Sequence, residues 1–437
     1  MHLKRPAALM AAAAMLFTFG ACQPKEEVPP VIPIETTEHK ATTAPPETTA
    51  PPETTTKAAA AKPAAATKQP TDFDEYQSNT TIATGSNYIY PDAQNTTFRT
   101  YFPVEEHGEL TYAFYFSNTV DSTWERGRYS YAGLEGGSYT IVSAKVADGG
   151  TSGRAKPTNY QDVTFDGSKT REVEPGETFW SDEITIDIPE DHYLVWEWTL
   201  TGNDIPCIRM TEMTYSYIIA KDAADDDALQ YNMDVPGPQL IGAKRDVKKR
   251  IVCLGDSITQ GAETTSYKER FWAAKLSQAL GDEYAVWNLG LGYARASDAA
   301  LCGDWLERAK SGDVVTLAFG TNDLAVGQYG AQEISSAEEI EGWLRKIIEE
   351  LRASGCKVIL FNAPPFDFDA MTEIQRSALN ERIPIIAEET GCEYFDWNTI
   401  LADPDNPAAS LYGGHPDDDG CELIADALTD QFGKLLK

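Results

Sequence analysis

The sequence predicts two folded domains in series, a β-sandwich followed by a doubly wound α/β domain with a parallel sheet. Short runs of β-branched and aromatic residues, separated by turns and without a long helical pattern, fill the first half of the folded region. After residue 250, short apolar strands alternate with amphipathic helices. A chain of 437 residues is long enough for about two domains once its polar N-terminal region is set aside.

The N-terminal residues predict export. Two basic residues precede an apolar run, residues 7–19, which is shorter than a usual membrane span. The small residues before Cys22 are similar to a bacterial lipobox, although Phe19 stands where Leu is usual. We therefore expect residues 1–22 to be a lipoprotein signal peptide and Cys22 to be lipidated, which would hold the protein at the extracellular face of the bacterial membrane. An ordinary signal peptide cut near Ala21 is the alternative.

Residues 23–70 predict a disordered linker. They are rich in Pro, Thr, Ala and Glu and contain no aromatic residue, so they cannot bury a core. Strand patterns follow over residues 71–240, the clearest at 109–116, 139–142, 183–188 and 193–200. They predict a sandwich of the jelly-roll kind. The polar and then basic segment 221–250 predicts a connector to the next domain.

Residues 245–437 predict the α/β domain. We expect its strands at 251–254, 285–289, 314–319, 357–362 and 393–397. The clearest helix begins after Ser336, where Glu339 completes a capping box, and a final helix is expected from about residue 420 to 436. Ligands of such sheets bind beyond the carboxyl ends of the strands, so the functional site is expected there.

Charge and cysteine usage exclude several classes of function. The formal net charge of −32 argues against nucleic acid and anionic membrane surfaces as partners. None of the seven cysteines belongs to a C-x-x-C pair, so the sequence carries no zinc or redox signature. Cys253 and Cys356 lie in or beside apolar runs, which predicts buried free thiols.

Four residues near the expected strand ends can carry chemistry. Ser257 can present a nucleophilic hydroxyl, which needs an adjacent base. The backbone N–H of Gly290 and the amide of Asn322 can donate to an oxyanion. His415 is the candidate base, because the other four histidines lie outside the α/β domain. Each residue taken alone is also typical of a turn, a helix cap or a structural position.

Taken together, these positions resemble the four sequence blocks of the GDSL/SGNH hydrolases, in order and spacing. The blocks are residues 255–257, Gly290, residues 320–323 and His415 with the following proline. The resemblance implies that Ser257 attacks an ester carbonyl and that His415 takes its proton. It also implies an oxyanion hole formed by the N–H groups of Ser257 and Gly290 and by the Asn322 side chain. No metal or cofactor is implied.

One position departs from the family pattern. The family places Asp three residues before the histidine, and this sequence has Tyr412 there. One interpretation is a Ser–His dyad whose imidazole is oriented by a backbone carbonyl. Another is a shifted loop that supplies Asp405, and a third is weakened or lost activity.

The domain order is similar to that of two-domain bacterial carbohydrate esterases, and residues 115–118 and 179–182 resemble their accessory domain. This implies removal of acetyl groups from a poly- or oligosaccharide. Aromatic and basic residues near the site are candidate substrate contacts: Arg295, Tyr293, Tyr412, Tyr329 and Phe366. The alternatives are a lipase or thioesterase, which the polar loop 261–266 disfavours, and a degenerate sugar-binding lipoprotein without activity.

Overall fold

The computed structural model describes residues 66–122, 132–209, 213–219, 228–329 and 335–437, without the side chains of 326–329. The predicted signal peptide, Cys22 and most of the predicted linker lie outside these ranges. The described residues belong to one compact unit. At its beginning, the Gln69 N–H donates to the Ser354 carbonyl at 3.0 Å, and Lys68 Nζ donates to the Gly312 carbonyl at 2.7 Å. The end of the predicted linker is therefore packed on the folded unit.

The N-terminal part of this unit, here called the β region (residues 66–243), is antiparallel. Its strands are β1 (Gln77–Ser78), β2 (Tyr88–Pro103), β3 (Gly108–Ser117), β4 (Tyr139–Asp148), β5 (Thr158–Val163), β6 (Arg171–Val173), β7 (Thr178–Trp180), β8 (Ile184–Ile188), β9 (Tyr193–Arg209), β10 (Tyr215–Ile219), β11 (Leu229–Tyr231), β12 (Asp234–Val235) and β13 (Leu240–Ala243). Among the described strands, one sheet has the order β1-β13-β3-β7, with β8 also paired to β3. The second has the order β11-β10-β2-β9-β4-β5, with β12 on β9 and β6 on β4.

Aromatic side chains join the two sheets. Alternate residues of a strand share one face, so Phe114 and Phe116 of β3 point together toward β9. Their rings lie 4.7 and 5.7 Å from that of Trp196, and Phe116 lies 5.5 Å from Trp198. All four side chains are buried. The sandwich that the sequence predicts is confirmed.

The predicted connector, residues 221–250, is wrong for the residues of β11, β12 and β13, of which β13 is the longest. This short strand lies between β1 and β3, where Leu240 pairs with Tyr115 and Gly242 with Ala113. A Cβ at Gly242 would meet the Ala113 carbonyl at 2.8 Å, so glycine permits the close pairing. Four apolar residues between a Pro-Gly-Pro run and a basic cluster are too few to show a strand period, and only tertiary pairing defines them.

The α/β domain follows. Its elements are β14 (Lys249–Gly255), α1 (Ser257–Gln260), α2 (Trp272–Leu280), β15 (Tyr284–Gly290), α3 (Ala296–Ala299), α4 (Asp304–Ala309), β16 (Val314–Ala318), α5 (Thr321–Tyr329), α6 (Ala337–Ala353), β17 (Lys357–Phe361), α7 (Ala370–Thr390), β18 (Glu393–Phe395), α8 (Trp397–Leu401), β19 (Ala402–Asp403), β20 (Asn406–Ser410) and α9 (Asp418–Leu436). The parallel sheet has the order β15-β14-β16-β17-β18, which confirms the predicted class.

The predicted helices differ from the structure only at their ends. Ser336 Oγ accepts from the Glu339 N–H at 3.2 Å, and a Glu339 carboxylate oxygen accepts from the Ser336 N–H at 2.8 Å. This is the predicted capping box at the start of α6.

The fifth predicted strand ends earlier than expected, because Asp396 caps α8 and Trp397 begins that helix.

Buried ion pairs fix the β region on the α/β domain. Arg308 of α4 is paired with Asp121 of the β region and with Asp304, whose Oδ2 lies 3.1 Å from Arg308 Nε. Tyr115 of β3 donates to the other oxygen of Asp304 at 2.5 Å. Because a buried charge that loses its partner is costly, such a cluster strongly disfavours other relative placements of the two parts.

The six cysteines in the described part of the chain are free, and Cys253 and Cys356 are buried as predicted. Within the described ranges, no group of His, Cys, Asp and Glu side chains has the arrangement of a metal site. No helix in those ranges is both long enough and apolar enough to span a membrane.

Candidate active site

Ser257 lies beyond the carboxyl end of the central strand β14, as the first residue of α1. The preceding residue, Asp256, caps this short helix, because its Oδ1 accepts from the Ile258 N–H at 3.0 Å. The helix ends at Gly261, whose φ of 111° is left-handed. A sharp turn from strand to helix thus holds the serine hydroxyl at the edge of the sheet.

His415 meets the serine from the other side of the site. Ser257 Oγ lies 2.8 Å from His415 Nε2, a hydrogen-bonding distance between a hydroxyl and an imidazole. The histidine is on the loop between β20 and α9, where the Asp417 N–H donates to the Tyr412 carbonyl at 3.0 Å. The Phe366 ring packs edge-on against the imidazole, with centroids 5.3 Å apart. The structure therefore brings the predicted nucleophile and the predicted base together.

A glutamate that the sequence reasoning missed faces the other imidazole nitrogen. Glu263 Oε1 lies 3.6 Å from His415 Nδ1. Tyr412, at the position where the family has Asp, lies against Gly420 at the start of α9. Asp405 is exposed in the turn between β19 and β20, and its N–H donates to Asp403 Oδ1. No local pattern marks Glu263, because its approach to His415 depends on how two distant loops fold.

Asn322 is also brought to the site. It is the second residue of α5, just beyond the carboxyl end of β16, and its side chain is buried. Its Nδ2 donates to the Ala294 carbonyl in the loop after β15 at 3.1 Å. An amide nitrogen carries two hydrogens, so one donor remains for a ligand. The Ser257 N–H belongs to the first turn of a helix, where N–H groups lack an intrahelical acceptor.

Gly290 has structural contacts in addition to the oxyanion role that the sequence predicts. Its N–H donates to Asn288 Oδ1 at 2.9 Å, and binding an oxyanion would require this hydrogen bond to break. A Cβ on Gly290 would meet the Gln260 nitrogen at 2.2 Å. The structure therefore gives this glycine a packing role, because it lets α1 lie directly against β15.

The predicted substrate contacts have mixed positions. The Arg295 guanidinium is engaged by Asp298, with Nη2 2.8 Å from Oδ1. Tyr293 has a left-handed backbone, with φ of 64°, and is partly buried. Phe366 covers the imidazole, while Tyr412 packs on α9. The Tyr329 side chain lies outside the described part of the structure.

Asp256 and Asp323 are buried acids beside the site, and the sequence analysis assigned neither of them a role. Burial raises the pKa of Asp256 to about 7, and burial raises the pKa of Asp323 to about 6. Asp323 Oδ2 accepts from the Ala296 N–H at 3.0 Å, which fixes the start of α3. Both carboxyl groups accept backbone N–H groups of the turns that surround the nucleophile.

The match to a family model follows this geometry. Residues 253–423, which contain Ser257, Asn322 and His415, match the GDSL-like Lipase/Acylhydrolase family. These residues form a GDSL-like hydrolase domain. The GDSL-like domain begins within β14 and ends within α9, so the β region lies outside the match.

Solved structures with a similar domain include a GDSL-like lipase from Bacteroides thetaiotaomicron VPI-5482, with 21% identity, covering 43% of this chain and 89% of that chain at a TM-score of 0.33. The acetyl xylan esterase AlAXEase has 22% identity, covering 42% of this chain and 98% of that chain at a TM-score of 0.34. An aryl esterase of M. smegmatis has 21% identity, covering 43% of this chain and 100% of that chain at a TM-score of 0.34. Among curated proteins, none matches the chain.

Proposed function

We propose that this protein is a serine esterase in which Ser257 is the nucleophile and His415 is the general base. The main support for the proposal is the 2.8 Å contact between Ser257 Oγ and His415 Nε2. This contact lies beyond the carboxyl ends of the parallel strands of the GDSL-like domain. The buried Asn322 amide beside the site provides a donor for developing negative charge. A hydroxyl, a base and an oxyanion donor are the groups that acyl transfer needs.

The reaction follows from these positions. Ser257 Oγ attacks the carbonyl carbon of the ester while His415 Nε2 takes the hydroxyl proton, and the carbonyl oxygen becomes an oxyanion. Asn322 Nδ2 and the Ser257 N–H donate to this oxygen. Collapse breaks the bond to the alcohol, which receives the proton from His415. Water then attacks the acyl-enzyme with His415 as base, which releases the acid and restores Ser257.

We further propose that the acyl group is acetyl and that the alcohol is a carbohydrate hydroxyl. The sequence resemblance to two-domain carbohydrate esterases supports this substrate class. So does the loop after the nucleophile, residues 261–266, which is polar rather than apolar. A lipase would bury a long acyl chain against apolar residues. The Phe366 ring lies against the His415 imidazole, so it provides an aromatic surface beside the site on which a sugar ring could stack.

A lipid anchor at Cys22 completes the proposal. The lipobox-like residues before Cys22 and the long linker without aromatic residues support attachment to the outer face of a bacterial membrane.

Hydrolysis of 4-nitrophenyl esters tests the activity and the acyl preference together. The full chain is expected to cleave the acetyl ester much faster than the dodecanoyl ester, and Ser257→Ala is expected to lower kcat by at least about 1,000-fold. Acetate release from acetylated xylan, mannan, pectin and peptidoglycan then identifies the alcohol. Full activity of the alanine variant would refute the assignment of the nucleophile, and preference for the dodecanoyl ester would support a lipase.

A further inference from the structure

The loop between α1 and α2, here called the acid loop (residues 261–270), has an unusual backbone. Three non-glycine residues in it are left-handed: Glu263 with φ of 68°, Tyr267 with 61° and Glu269 with 47°. Each such residue costs about 1 kcal/mol or more, so surrounding contacts must impose the conformation. Residues held in this way cluster at functional sites, which makes the contacts of this loop informative.

One contact ties the acid loop to the segment that carries His415. Asp418 accepts from the Thr265 N–H and from Thr265 Oγ1, both at 2.7 Å. Asp418 is the first residue of α9 and lies three residues after His415. The two hydrogen bonds of one carboxylate therefore fix the spacing between the acid loop and the histidine.

Two more contacts tie the acid loop to the β region. The Tyr267 ring stacks on that of Tyr215 in β10, with centroids 4.0 Å apart and planes 15° apart. Thr81 Oγ1 donates to Glu269 Oε1 at 2.8 Å. A Cβ at Gly153 would overlap the Tyr215 ring, so this glycine leaves room for the stacked pair. The β region therefore helps to set the conformation of a loop of the hydrolase domain.

The result of these contacts is the position of the Glu263 carboxylate, 3.6 Å from His415 Nδ1. An acid at Nδ1 favours the tautomer with its proton on that nitrogen, which leaves Nε2 free to accept the Ser257 proton. The acid also stabilises the imidazolium that forms during attack. The Asp418 carboxylate is directed to Thr265, and the Phe366 ring covers another part of the imidazole.

We propose that Glu263 is the positioning residue that orients His415, in place of the acid that the family carries at the position of Tyr412. The proposal rests on the esterase function proposed above. It replaces the dyad without an acid and the shifted loop with Asp405. It also gives the β region a role in catalysis, because that region holds the acid loop through Tyr215 and Thr81.

The exposure of Glu263 sets the size of the effect. Its side chain is 70% exposed, so water and salt screen its charge. We expect Glu263→Gln to lower kcat about tenfold at low ionic strength, far less than the loss of a buried acid. KM is expected to change little, because Glu263 acts through the histidine. Added salt is expected to lower the wild-type kcat toward that of Glu263→Gln, whose own kcat stays constant.

The test compares Glu263→Gln with Asp405→Asn, which removes an exposed acid from the alternative loop. Steady-state kcat for 4-nitrophenyl acetate is measured from 10 mM to about 1 M NaCl. The proposal is supported if Asp405→Asn is fully active and if Glu263→Gln has a lower kcat at 10 mM NaCl that the wild type approaches as salt is added. A Glu263→Gln enzyme with wild-type kcat at low salt, or an equal loss in Asp405→Asn, would overturn it.

A second measurement does not depend on turnover. The downfield proton resonance of the His415 Nδ1–H, assigned by its loss in His415→Ala, is expected to move upfield in Glu263→Gln and to stay in place in Asp405→Asn. An unchanged resonance in Glu263→Gln would contradict the role of Glu263. Absence of Ser257-dependent hydrolysis in the wild type would instead contradict the esterase function, so the two failures can be told apart.

Discussion

Asp256, next to Ser257, is a buried acid whose protonation makes the stability of the fold depend on pH. Burial and, to a smaller extent, the nearby Asp323 carboxylate raise its pKa from 3.8 to about 7. Because the folded protein holds this proton more tightly than the unfolded chain, protonation of Asp256 stabilises the fold. This contribution is complete below about pH 4 and is lost as the pH rises through about 7.

Asp256→Asn tests this coupling, because asparagine keeps the oxygen that caps α1 and removes the titration. Between pH 5 and pH 8, the free energy of unfolding of the variant is expected to rise relative to the wild type by on the order of 2 kcal/mol. Urea unfolding at both pH values measures the difference. A constant difference between the variant and the wild type at the two pH values would contradict the buried titration.

Single residues could be predicted from the sequence where a local pattern points to them. Ser257 and His415 follow from a strand-turn-helix pattern and from the lack of another histidine in the domain. The position of Glu263 could not be predicted in this way, because it depends on contacts of its loop with Asp418 and Tyr215, which are remote in sequence. The hydrogen bond from the Gly290 N–H to Asn288 is also a feature that the sequence pattern does not show.

The packing of α1 on β15 determines where the nucleophile lies. Gly255 and Gly290 are partners in the register of β14 and β15. A Cβ on Gly290 would approach the Thr259 carbonyl carbon to 2.5 Å and the Gln260 nitrogen to 2.2 Å, both backbone atoms of α1. Backbone atoms cannot rotate away, so any larger residue must displace the helix that begins with Ser257.

Gly290→Ala is therefore expected to lower the free energy of unfolding by about 1–3 kcal/mol and to lower kcat as Ser257 moves. Gly303→Ala is the matched control, since a Cβ there meets no atom within 4 Å. Thermal unfolding and 4-nitrophenyl acetate hydrolysis measure the two effects. Equal behaviour of the two variants would show that Gly290 is not a packing requirement.

Element prediction succeeded where the local signal was strong. Helix α6 has both a capping box and a buried apolar face, so the sequence indicates its start and its orientation. Strand β13 has only four residues and is defined by partners that lie about 125 residues earlier in the chain. Its pairing with β3 is a property of the tertiary fold and leaves no periodic trace in the sequence.

The first residues of the folded unit, Lys68 and Gln69 among them, lie away from the candidate active site. Lys68 and Gln69 bind carbonyl groups just before β16 and β17, whereas Ser257 and His415 lie beyond the carboxyl ends of the sheet. A Cβ at Gly355 would meet the Lys68 backbone at 2.4 Å, so the entering chain packs closely there. The described part of the chain therefore begins at the end of the parallel strands opposite the one where Ser257 lies.

The proposed lipid anchor at Cys22 predicts how the protein divides between the membrane and soluble fractions of the cell. In bacteria that process lipoproteins, the full chain is expected in the membrane fraction, and Cys22→Ala is expected in the soluble fraction with unchanged kcat. Cys207→Ala, which changes a buried thiol of the folded unit, serves as the control and should stay with the membrane. Membrane association of Cys22→Ala equal to that of the wild type would contradict lipidation at this residue.

Covalent labelling with a serine-reactive probe shows directly whether Ser257 is the nucleophile. A fluorophosphonate forms a bond between phosphorus and an activated serine oxygen and releases fluoride, and mass spectrometry of the digested protein locates the adduct. We expect one adduct, on the peptide that contains Ser257, which is absent from Ser257→Ala and forms more slowly in His415→Ala. An adduct at another serine, or labelling of Ser257→Ala at the wild-type rate, would contradict this role of Ser257.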